Sequence, residues 1–167
     1  MAIYYMICPM SEITNKMILK FLEVGLVSSM VETIVDAEKG VCEKALGVLD
    51  RVFDTKQGRE EAYKNALMVP LLVKKVIRVS DLATQFIVSI LWKLFGNVKN
   101  DDVEGGELIV EALQVGAFQK LLVLLQVGCG EKTKEKVSEL LKLLNVYKEK
   151  VGCFNSSMNF KHLKKPF

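Results

Sequence analysis

The chain has 167 residues, half of them hydrophobic and 26% charged, with three prolines and eleven glycines; this composition gives a folded chain with a real core and excludes disordered, collagen-like and linker-dominated proteins. Lys and Arg outnumber Asp and Glu by 23 to 20, and residues 146–167 hold five lysines against one glutamate, so the body lacks the positive field of a nucleic-acid binder. The longest apolar run, residues 66–73, includes a proline and falls far short of the ~20 residues of a membrane span, while residues 1–8 lack the basic start and apolar stretch of a signal peptide.

Apolar residues recur at three- and four-residue spacing almost throughout, and no period-two stretch is long enough for a strand, so the predicted class is all-α. Breaks at 36–40, 54–58, 79–81, 96–106 and 128–131 collect turn formers and caps such as Asp54, Thr55 and Ser80. They leave about nine helical pieces in chain order. A short helix over 13–24 leads to a second helix opening at Gly25 and a long third one over 39–53. A second set runs over 58–66, opens again at Leu67 with Pro70 in the first turn, and ends in a long helix over 81–95. The last set runs over 107–115, opens at Gly116 and closes over 132–147.

Self-similarity turns this list into an architecture. A shift of 42 residues carries Met30, Val31 and Ile34 onto Leu72, Val73 and Val76, and Leu46, Leu49 and Val52 onto Val88, Leu91 and Leu94. A further shift of 49 carries these onto Leu121, Leu122 and Leu125, and onto Val137, Leu140 and Leu143. Every aligned position stays apolar, and the seven extra residues fit the polar stretch 96–106. Three helices per period, with a proline where a missing N–H costs nothing, predict a right-handed armadillo-type superhelical solenoid of about three three-helix repeats, in preference to HEAT repeats. A four-helix bundle shares the periodicity but not the constant offsets. The predicted division is a short segment over 1–12, repeats over 13–53, 57–95 and 105–147, and a basic tail over 148–167. That tail, with Phe154, Phe160 and Phe167, is expected to be a mobile terminus, the alternative being contact with acidic lipids or a partner.

Catalytic chemistry is hard to assemble from these residues. Cys8, Cys42, Cys129 and Cys153 are too far apart for a C-x-x-C site, and Cys42 and Cys129 read as small buried thiols, which points to a reducing compartment. His162 is the single histidine, among lysines near the C-terminus with Cys153 its nearest cysteine, and such a pair has no rigid support. Residues 128–133 do not satisfy G-x-x-x-x-G-K-[ST] and read as an interhelical turn with a cap. Asp101, Asp102 and Glu104 read as a solvated acidic turn and not as metal ligands. No catalytic residue, cofactor or metal site is expected.

The stretches Glu43-Lys-Ala-Leu-Gly-Val-Leu-Asp50, residues 58–75, Ser80-Asp-Leu-Ala-Thr-Gln-Phe86 and residues 111–136 closely resemble the C-terminal armadillo region of plant U-box E3 ubiquitin ligases, from about Ile13 onward. The closing Phe160-Lys-His-Leu-Lys-Lys-Pro-Phe167 also looks like the end of such proteins. In that family the zinc-free U-box recruits the ubiquitin-charged E2 and the armadillo array recognises substrates or regulators. Cys8-Pro9-Met10-Ser11 is similar to the Cys-Pro-Ile-Ser near a U-box start, but the module's later pattern does not follow, so the U-box is expected to be missing. The resemblance implies a partner-recognition region acting in protein ubiquitination, non-catalytic alone, in the setting of plant stress or immune signalling. It is expected in the cytoplasm, with the nucleus also open. The alternative is a U-box-free adaptor that binds partners without ligase activity. An importin-like groove would need Trp-x-x-x-Asn on successive third helices, whereas Trp92 is followed by Gly96, and Asp50 and Leu141 stand at the equivalent positions.

In armadillo arrays the outward faces of the third helices line a concave groove. At about 100° per residue, Ser89 and Lys93 point away from the Val88, Leu91 and Leu94 stripe, with Phe86 and Trp92 flanking. Gly47 and Arg51 would adjoin them on one side, Ser138 and Lys142 on the other. The candidate partner-binding residues are therefore Arg51, Phe86, Ser89, Trp92, Lys93 and Lys142. A basic row beside two aromatics suits an extended, partly acidic protein segment anchored by Trp92. The alternative is that Trp92 packs sideways on the neighbouring repeat.

Overall fold

The structure, a computed structural model, describes residue 4 and residues 12–96 and 103–159, with side chains placed at 4, 16–96 and 106–149. Among the described residues there are nine named helices and no strand: α1 (Glu12–Glu23), α2 (Leu26–Asp36), α3 (Lys39–Val52), α4 (Lys56–Tyr63), α5 (Met68–Lys75), α6 (Asp81–Gly96), α7 (Val103–Gln114), α8 (Ala117–Val127) and α9 (Glu131–Asn159). They fall into three sets of three. The first helices stack α1 on α4 on α7, α2 meets α5, and the long third helices stack α3 on α6 on α9. This is the architecture of an armadillo solenoid.

The local causes are visible at the joints. Gly25 and Gly116 take left-handed φ values of 79° and 85°, a conformation open to glycine, and each turns a first helix into a second one. The equivalent Leu67 keeps an ordinary φ of −87°, and there the Asn65 carboxamide oxygen accepts the Leu67 N–H while Pro70 lies in the first turn of α5. At the N-terminus of α4 the Thr55 hydroxyl accepts the Gly58 N–H at 3.1 Å. Ser80 does the same for Ala83 ahead of α6. Gly58 also permits close approach, since a Cβ there would stand 2.2 Å from the Val52 carbonyl oxygen.

The aligned rows run buried through the array. Leu46, Val88 and Val137 are each 0% exposed, and Leu49, Leu91 and Leu140 are equally enclosed. Each such side chain contributes roughly 1.5–3 kcal/mol by leaving water. The third row holds for Val52 and Leu94 but slips in α9, where Leu144 is buried and Leu143 half-buried. The second-helix row also weakens at the last unit, with Leu122 exposed and Leu125 half-buried. In a solenoid each unit covers the one before it, and α8 belongs to the last of the three described units. At the other end of the described array, Leu19 and Val24 of the first unit are exposed. Tyr4 packs elsewhere, over Gly47 of α3 next to Phe86.

Two expectations need amendment. Helix α9 continues past Tyr147 to Asn159, because Gly152 alone costs a helix only about 1 kcal/mol and no proline intervenes before Pro166. Glu104 lies within α7 and not in a turn, while Asp101 and Asp102 fall outside the described residues.

Candidate functional site

The third-helix face is built from α3, α6 and α9, and its side chains are paired across both seams. At the seam between α3 and α6, the Lys93 ammonium donates to the Asp50 backbone carbonyl at 2.6 Å and to its carboxylate at 2.8 Å. It also lies 2.8 Å from the Asp54 carboxylate, which Arg51 reaches at 3.0 Å. The Lys93 and Asp50 side chains are only 15% and 17% exposed. The outward-pointing Lys93 expected from helix geometry therefore leans back over the first unit. Arg51 is spent on the same acidic pair, so the expected basic row is largely neutralised within the fold.

The seam between α6 and α9 is of another kind. The Trp92 indole N–H donates to the Glu139 carboxylate, and the Lys136 ammonium stands 5.4 Å from the Trp92 ring centre, within cation–π range. Lys136 also donates to the Ser89 hydroxyl at 2.8 Å. Ser89 is consequently covered, at 8% exposure, where the sequence reading has it facing outward. Trp92 is reached from the neighbouring repeat, yet it keeps 38% of its surface exposed. Phe86 is half-buried toward Gly47 and Tyr4, and Lys142 is exposed on α9.

Asp50, Asp54, Lys136 and Glu139 are the members that sequence reasoning missed. A signal for the last two was available. The shift of 49 places Lys136 and Glu139 on Ile87 and Ile90, both 0% exposed in the second unit. Apolar positions that become charged in one repeat mark a changed neighbourhood.

The excluded chemistry can be placed in part. Cys42 is buried in α3, and burial pushes its thiol above the ordinary range against the opposing pull of Lys75. Cys129, expected to be buried, is only half-buried because it lies in the turn between α8 and α9, and its partial burial likewise raises the thiol. Cys153 falls in α9, while Cys8 and His162 lie outside the described residues. Residues 128–133 form the expected turn: Gly128 has a φ of 98°, and the Gly130 carbonyl accepts from Thr133 and Lys134 as α9 begins. Among the described residues no three metal-ligating side chains converge, and no single helix is long and apolar enough to cross a membrane.

Comparison with known proteins agrees with this architecture. The sequence profile described as "Plant U-box protein ARM repeat region" matches residues 1–164. The chain belongs to the plant U-box armadillo-repeat family. The match starts at residue 1, ahead of Ile13. U-box domain-containing protein 21 of Arabidopsis thaliana is 50% identical over 167 residues, covering 99% of this chain and 36% of the relative. U-box domain-containing protein 20 of the same plant is 45% identical over 170 residues, covering 99% of this chain and 37% of the relative. E3 ubiquitin-protein ligase PUB22 from Arabidopsis thaliana is 34% identical over 128 residues, covering 74% of this chain and 28% of the relative. The chain's matches thus cover 36% and 37% of the first two relatives and 28% of the third. Among solved structures, a designed armadillo repeat protein matches with a TM-score of 0.63 at 19% identity, over 85% of this chain and 63% of that one, which bears on the fold alone.

Proposed function

We propose that this chain is the partner-recognition region of a plant U-box E3 ubiquitin ligase, holding a substrate or regulator along the concave side lined by α3, α6 and α9. The observation that carries this reading is Trp92. An indole held by Glu139 and Lys136 at the seam of two repeats, and still more than a third exposed, is oriented in advance and has surface left to give. Tryptophan is among the residue types most enriched at binding hot spots, and a fixed rotamer lowers the entropy lost on association. Lys142 supplies exposed positive charge on the same helix as the Trp92 partners. Arg51 and Lys93 take a structural part in this reading, since their charge is matched by Asp50 and Asp54. The partner segment is accordingly anchored by an aromatic contact more than by a basic row. Ubiquitin transfer itself requires a U-box to orient the E2.

The test is affinity purification from plant extract with the chain and its Trp92→Ala and Lys142→Glu variants, followed by mass spectrometry. A protein recovered by the native chain and lost by Trp92→Ala, with circular dichroism melts that nearly superpose, is the expected result. Recovery indifferent to both substitutions would remove the site from this face. In a reconstituted E1/E2 assay the chain alone should leave ubiquitin discharge at its background rate, and a U-box joined ahead of it should ubiquitinate the recovered protein.

A further inference from the structure

At the edge of the array, where α2 and α5 end, the first two units leave a recess of about 340 Å³. Its apolar wall is Val35, Ala37 and Val79, and the rest of its lining is Lys39, Lys74, Lys75 and Arg78. No carboxylate is among the lining residues. Asp36 and Glu38 alternate with them in sequence but are exposed outside the recess.

Part of this cluster is held in place by the backbone. Lys75 donates to the Val35 carbonyl at 3.0 Å, near the end of α2, and Lys120 donates to the Val73 carbonyl at 2.7 Å in the last turn of α5. Each ammonium has three N–H donors, so each retains two. Lys120 lies close enough to feel the cluster: burial, then the charges of Arg78 and Lys74, hold its pKa below the usual lysine range. Like charges gathered without a counter-charge carry a repulsion that a bound anion removes.

We propose that this recess binds the phosphate group of a phosphorylated side chain in a protein partner. The proposal rests on the partner-recognition reading and adds the chemistry of a second contact away from Trp92. A phosphomonoester carries about −1.5 to −2 charges at pH 7 and three acceptor oxygens, which suits four lining cations better than a single carboxylate does. Arg78 supplies a planar fork for two of those oxygens. A bilayer presents headgroups in a plane, whereas these cations line one recess, open to solvent, between two repeats.

The test uses the full chain and fluorescein-labelled Gly-Gly-Ser-Gly-Gly peptides, with and without phosphate on the serine, read by fluorescence anisotropy. The phosphopeptide should bind at least about tenfold more tightly than its twin. Lys74→Gln combined with Arg78→Gln should bring the two peptides within about twofold, with the thermal melt unchanged or raised because repulsion is relieved. Lys56→Gln, on exposed α4 surface outside the recess, should retain the preference, and so should Trp92→Ala. Equal affinity for the two peptides, or a preference that survives the double substitution, would overturn the proposal. Loss of the preference in Trp92→Ala alone would also overturn it while leaving the groove reading intact. Vesicles of 30% phosphatidylserine in phosphatidylcholine should not compete; binding to them that the double substitution abolishes, without phosphopeptide binding, would reassign the recess to a membrane surface.

Discussion

Lys93 and Trp92 are adjacent on α6 and serve opposite seams. Lys93 turns toward the first unit, where Asp50 and Asp54 enclose its ammonium in a partly buried ion pair. Trp92 turns toward the third unit, where Glu139 and Lys136 hold its edge and face but leave the ring partly open. The first seam is closed by charge compensation and offers a partner little. The second is ordered and incomplete. One helix face can therefore be structural on one side and available on the other, and the helix period alone does not tell the two apart.

The largest expected effect breaks both seams together. Leu91 lies in the buried row beneath them, and Leu91→Ala should cost about 2–5 kcal/mol in chemical denaturation, through lost burial and the cavity left behind. Cooperative unfolding of all three units at a lower midpoint is the expected signature. A loss below about 1 kcal/mol would mean that the row is not shared.

Next comes the closed seam. Lys93→Met leaves Asp50 and Asp54 facing each other without their ammonium and should cost about 1–2 kcal/mol, since the pair is partly screened by water at Asp54. In a chain of this size that is roughly 2–8 °C in Tm by calorimetry. Lys93→Glu should cost more, because it adds a third carboxylate. Restoring part of the loss with Asp50→Asn in the Lys93→Met background would confirm the assignment to charge.

For the open seam, Trp92→Ala should cost less stability than Lys93→Met while producing the greater loss of partner capture, measured by melting and by affinity purification on the same samples. The reverse order would abolish the distinction between the seams. The smallest effect is Glu139→Gln, which keeps a hydrogen-bond acceptor for the indole and removes the charge beside it. Stability should change by only a few tenths of a kcal/mol. Because Trp92 is the single tryptophan, a shift in its fluorescence emission reports the lost charge beside the ring directly, and an unchanged spectrum would mean that the Glu139 charge does not act on it.

Much of this architecture was legible in the chain before any coordinates. The constant offsets tying Leu46 to Val88 and Val137 sufficed for three stacked units, since a residue that must be apolar at every repeat is one facing its neighbours in each of them. The turns at Gly25, Thr55, Ser80 and Gly116 followed from local backbone chemistry, which needs nothing beyond a few adjacent residues. What the tertiary structure decided was the use of each face. Helix periodicity set Lys93 outward, but a long flexible side chain reaches whatever charge the neighbouring helix presents, and Asp50 and Asp54 stood within that reach. Ser89 was covered because Lys136 arrived from another repeat, 47 residues along the chain. The basic recess was only partly visible in sequence order, where Lys74, Lys75 and Arg78 stand together but Lys39 follows the acidic Asp36 and Glu38; it exists because the ends of α2 and α5 are brought side by side. Repetition is a property of one chain read against itself, whereas a site is a meeting of side chains whose separation in sequence carries no sign of their contact.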